Sequence, residues 1–147
     1  MATSTIPTLK ANLVTQLQAR GGLAGVQVSY GPPLPNPQRE YIWVGDVEGA
    51  QSFAAFAAAN TLYQRREEYN VQVIIGVLHE GTDTKATDDR CFALLAELEQ
   101  QVRTDPTVSG AINVAQLTTF RLTEFVSPDG MNRTAQLIVD INCQQWI

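Results

Sequence analysis

Apolar and polar positions alternate with a period of two from Arg65 to Glu80 and switch to a helical stripe between Thr82 and Asp105. In RREEYNVQVIIGVLHE, Tyr69, Val71, Val73, Ile75 and Val77 are apolar, while Glu68, Asn70, Gln72 and Gly76 are polar or small. A strand with one dry and one wet face requires that alternation. In TDTKATDDRCFALLAELEQQVRTD, Cys91, Leu94, Leu95, Leu98 and Val102 recur on one side of a helix, and Glu97, Glu99, Gln100 and Arg103 occupy the other. The two segments predict one strand packed under one helix.

The flanking sequence adds further elements. Ile6, Leu9, Leu13, Val14 and Leu17 form a helical stripe from Thr5 to Arg20, with Pro7 in the first turn and Gly21-Gly22 as the stop. VQVSY (Val26 to Tyr30) and EYIWVGDV (Glu40 to Val47) read as strands, the second with Tyr41, Trp43 and Val47 at alternate positions. Between them GPPLPNPQ (Gly31 to Gln38) is too rich in proline for helix or central strand and is expected as a stiff, extended loop. GAQSFAAFAAANTL (Gly49 to Leu62) is readable as a helix or as a hairpin arm, and is taken as a projecting connection. Pro106 ends the second helix near Asp105, and Val108 to Ile112 is a short link.

The remainder predicts a long hairpin: a strand from Asn113 to Val126, the turn Ser127-Pro128-Asp129-Gly130, and a return strand from Arg133 to Trp146. In that return strand Ala135, Leu137, Val139, Ile141 and Cys143 share a face. The expected architecture is α+β: a single domain over residues 1–147, with one mainly antiparallel or mixed sheet, two helices on one face, and projecting loops at about 31–38 and 49–62.

Composition narrows the function. Apolar residues make up 44% of the 147 positions and charged residues 17%, enough to build a core without disulfides. Cys91 and Cys143 fall on dry faces and are expected as buried free thiols. The start, MATSTIPTLK, has no signal-peptide pattern and no segment has a membrane-spanning apolar run, so a soluble protein made in a cytoplasm is expected. The net charge of −5 and the scatter of the ten basic residues argue against tight nucleic-acid binding, which needs a clustered basic face.

Catalytic arrangements fail for want of parts, and neither cofactor nor metal is expected. His79 is the one histidine, which removes paired-imidazole metal sites; a cysteine nucleophile would need it as partner, and Cys91, about one helix length of sequence away, lies on the dry stripe and reads as core. Gly21 to Gly25 runs from helix into strand, the reverse of a phosphate loop. Asp83, Asp88 and Asp89 suit a helix start, and the strand neighbours Glu67 and Glu68 point to opposite faces. Arg65-Arg66-Glu67-Glu68 sets both signs of charge side by side, as a solvated strand end or a self-complementary contact between copies would. The amides Gln72, Gln116, Gln136, Asn142, Gln144 and Gln145 suit a contact surface or channel wall.

The order of GGLAGVQVSYGPP, REYIWVGDVEG and RREEYNVQVIIGV, preceded by a helix and followed by a helix and a long hairpin, resembles tail terminator (tail completion) proteins of long, non-contractile-tailed bacteriophages, over roughly Thr5 to Trp146. The resemblance implies a non-enzymatic subunit of a six-fold ring at the head-proximal end of the tail. Such a ring stops tube growth, meets the tail tube protein and the head–tail connector, and lets DNA pass. Arg39, Arg65, Arg66, Glu67 and Glu68 are then candidate inter-subunit ion-pair formers. The alternatives are a tail tube subunit, a head–tail adaptor, or a small ligand-binding or enzymatic domain.

Overall fold

The structure is a computed structural model and describes residues 4–33, 38–56 and 63–146. Its elements follow the expected order: α1 (Ile6–Ala19), β1 (Gln27–Tyr30), β2 (Glu40–Phe56), β3 (Tyr63–Glu80), α2 (Thr84–Thr104), β4 (Val114–Val126) and β5 (Asn132–Trp146). The strands form one sheet in the order β1-β2-β3-β5-β4. β1 runs parallel to β2 and every other neighbour pair is antiparallel.

One face of the sheet is covered by both helices. Tyr69, Val71, Val73, Ile75 and Val77 of β3, and Ala135 through Cys143 at alternate positions of β5, are buried against Leu9, Leu13, Val14 and Leu17 of α1 and Cys91, Leu94, Leu95, Leu98 and Val102 of α2. The other face carries no helix.

Local chemistry sets the helix ends. Asp83 caps α2 by accepting a hydrogen bond from the Ala86 N–H at 3.0 Å. α1 stops one residue before the glycines, with Arg20 already extended, and Gly21–Leu23 form a single 3-10 turn. A side chain at Gly22 would meet the Glu97 carboxylate, which would have to swing aside. Arg20 fastens this corner to α2 through Glu97 (2.6 Å), Gln100 (2.9 Å) and Gln101 (3.1 Å).

The structure corrects the facing of β2. Its inward residues are Ile42 and Val44, both fully buried, and Tyr41 and Trp43 lie on the naked face. YIWV is apolar on both sides, so alternation alone cannot say which side is inward. An irregularity in the pairing between Val44 and Val47 then shifts the phase and returns Val47 to the core edge. Gly49–Phe56, readable as helix or hairpin arm, is strand, paired with Tyr63–Tyr69 of β3. Residues 34–37 of the proline-rich loop and 57–62 of the expected connection lie outside the described residues.

Candidate functional site

The five charged residues singled out in the sequence do not form one cluster. Arg39 precedes β2 and pairs with Glu80 at 2.5 Å, at the opposite end of β3 from the other four. Along β3, Glu67 faces the helices and Glu68 faces away, as their adjacency in a strand requires.

Glu67 is an internal tie. It is 3% exposed. Its Oε1 accepts the Thr5 N–H (2.9 Å) and the Thr5 hydroxyl (2.7 Å), and Gln51 donates to its Oε2 at 3.2 Å. Because the Thr5 hydroxyl proton is committed to Glu67, the Tyr69 hydroxyl donates to Thr5 Oγ1 across 2.9 Å. Burial alone would raise the Glu67 carboxyl, but the hydrogen bonds from Thr5, Ser4 and Gln51 outweigh it and hold the group below its ordinary value. The carboxylate therefore anchors the start of α1 to β3, which withdraws Glu67 from the set available to a neighbouring subunit.

Arg66 and Glu68 lie on the naked face in a ladder of polar side chains shared by β3 and β5. Arg66 donates to Gln144 Oε1 at 2.6 Å and pairs with Glu68 at 3.3 Å. Asn142 donates to Glu68 (3.2 Å) and to Asn70 (3.1 Å), and Gln144 donates to Asn142 (3.2 Å). Farther along, Asp46, Glu48, Asn70, Gln72 and Asp140 line a shallow polar depression. Gln145, grouped with these amides in the sequence, falls on the helix side opposite Glu67. Arg65 donates to Gln51 Oε1 at 3.3 Å.

The residues with catalytic chemistry are engaged structurally. His79 Nδ1 lies 3.2 Å from the Thr87 hydroxyl, at the junction of β3 with α2. Burial pushes both free thiols, Cys91 and Cys143, up to about 12. Arg39, His79 and Glu80 help to line a surface depression of about 790 Å³. Among the described residues no group of three or more His, Cys, Asp or Glu could hold a metal ion, and no helix is long and apolar enough to cross a membrane.

Sequence reasoning missed the ladder itself. The polar sets on β3 and β5 were both visible, but nothing local indicates that β5 inserts beside β3.

No family model and no curated protein matches the chain. Among solved structures, a chain titled as the virion of a native gene transfer agent particle is similar at 15% identity and a TM-score of 0.39, over 97% of this chain and 99% of that one. A second, whose name states no role, is similar at 16% identity and a TM-score of 0.45, over 97% of this chain and 96% of that one. At that level of similarity neither decides what this chain does.

Proposed function

We propose that the chain is a structural subunit of a phage-type virion, a tail terminator that closes into a ring, caps the tail tube at its head-proximal end and joins it to the neck. The observation that carries this reading is the naked sheet face. From Arg66 to Asp140 it is polar and carries amides and the acids Asp46, Glu48, Glu68 and Asp140, a surface suited to contact or to lining a channel, while Tyr41, Trp43 and Ile74 lie farther along. A channel wall of this kind does not hold DNA, because adhesion to phosphates requires basic side chains and counterion release. The net charge of each copy, −5, acts in the same direction. The partners are then further copies of the chain, the tail tube protein and the head–tail connector. Assembly takes place in the host cytoplasm.

Arg39, Arg65, Arg66 and Glu68 are exposed or half-exposed and remain candidates for ion pairs between copies. Light scattering after size exclusion, with negative-stain images of the same fractions, tests the ring, and growth of tail tubes in the presence of the protein tests the cap. Rings of about six copies that arrest tube elongation are expected. A strictly monomeric protein that neither forms rings nor stops elongation sinks the proposal, while incorporation along the tube would favour a tube subunit.

A further inference from the structure

The sheet has two open edges, and they complement each other. β4 is a terminal strand of 13 residues. The Ala115 N–H is taken up by the Pro106 carbonyl at 2.7 Å, but from Gln116 to Val126 β4 has β5 on one side and, among the described residues, no strand on the other. Phe120, Phe125 and Val126 on it are 59%, 51% and 58% exposed. It holds no proline or lysine, and its edge is interrupted only by the irregularity between Leu117 and Thr119 and by the charges of Arg121 and Glu124. On the other side β1 covers β2 only over Tyr41–Val44. From Val47 to Phe56, β2 has β3 on one side and no described strand on the other.

Direction and charge both fit. β2 and β4 run in opposite senses within the sheet, so a second copy placed beside the first in the same orientation presents its β2 antiparallel to β4. Arg121 of β4 is exposed on the naked face, as are Asp46 and Glu48 beside the open part of β2, and none of the three has an ion pair among the described residues.

The two edges are not level. Gln116–Val126 lie across from Asn70–His79, whereas Val47–Phe56 lie across from Tyr63–Val71, so the second copy must be displaced several residues along the strands. A closed ring of tilted strands supplies that displacement. A tilt of roughly 35–45° staggers neighbouring strands by about one residue each, or about four to six residues from one copy to the next.

We infer that β4 of each copy adds antiparallel to the open half of β2 of the next, joining the sheets into a continuous belt with the helices on one side and the polar face on the other. The contact is head-to-tail, the kind that makes a ring when its rotation closes. The inference rests on the ring reading above and specifies the partner as a second copy of this chain.

Paired cysteines test it, since the native thiols are buried. Thr119→Cys with Ser52→Cys, Thr119→Cys with Ala50→Cys, and Thr123→Cys with Glu48→Cys place thiols on one face at neighbouring registers of the expected ladder. Oxidation at high protein concentration should give a covalent ladder from dimer to closed ring in at least one pair, and no ladder from the single variants. In the unmodified protein, amide exchange over Gln116–Val126 and Val47–Ser52 should slow at least tenfold on assembly. Rings without a ladder in any pair, or with unchanged exchange on both edges, overturn the strand pairing and leave the ring reading standing. Absence of oligomers at any concentration overturns both.

Discussion

The Tyr41 ring lies across Gly76, its cross-strand partner, so closely that a Cβ on Gly76 would fall inside the ring. Trp43 covers Gly45 in the same way and shelters Ile74, forming a small aromatic cover on the face that carries no helix. Gly76→Ala should therefore cost about 1–3 kcal/mol through overpacking. The same change in a Tyr41→Ala background should cost much less, because the two positions share one space. Urea denaturation of the four proteins of this cycle measures the coupling.

The Glu67 carboxylate is depressed from an ordinary value of 4.5, so its stabilisation is fully present above that pH and is lost as pH falls through the lower folded value. Glu67→Gln should destabilise by about 2 kcal/mol at pH 7, the scale of hydrogen bonds to a buried charge. The difference between the two proteins should shrink below pH 4.5. Thermal melts at pH 7, 4 and 3 follow it; a constant difference would contradict the anchoring role.

Cys91 and Cys143, both held near 12, should resist alkylation by iodoacetamide at pH 8 in the native protein and react within minutes once denatured. Mass spectrometry reads the number of adducts. Rapid native labelling of either thiol would show that the core opens there.

Glu124 of β4 sits beside Asp88 of α2, and a side-chain hydrogen bond between the two carboxyls, followed by their like charge, raises the Glu124 carboxyl above its ordinary value. A raised acid favours the folded state as pH falls, so the repulsion is felt once pH rises above the raised folded value and both carboxyls are ionised. Glu124→Gln should raise the melting temperature at pH 8 and leave it unchanged near pH 3. Equal shifts at both would point to packing rather than charge.

Much of the fold was legible because β3, α2 and β5 are each apolar on one face only, so a period of two or of 3.6 both identifies the element and orients it. β2 resisted because Tyr41, Ile42, Trp43 and Val44 leave neither face polar. The candidate site was legible as residue types but not as an arrangement. Glu67 belongs to the interior because a threonine 62 residues earlier meets it, and Glu68 joins the amide ladder because Asn142 lies two strand positions from its pairing partner Gln144. Contacts between distant segments leave no periodic trace in the chain.

The insertion of β5 between β3 and β4 also orders the birth of the molecule. Among the described residues β4 has no strand partner except β5, and β5 follows β4 in the chain. A nascent chain that has emerged only as far as Val126 thus carries β3 with an uncovered edge and β4 with nowhere to dock, a state open to aggregation. Closure of the sheet waits for Asn132–Trp146. A chain cut short before Asn132 would keep the inner edges of β3 and β4 open, so the sheet that a neighbouring copy would meet exists only once β5 is in place.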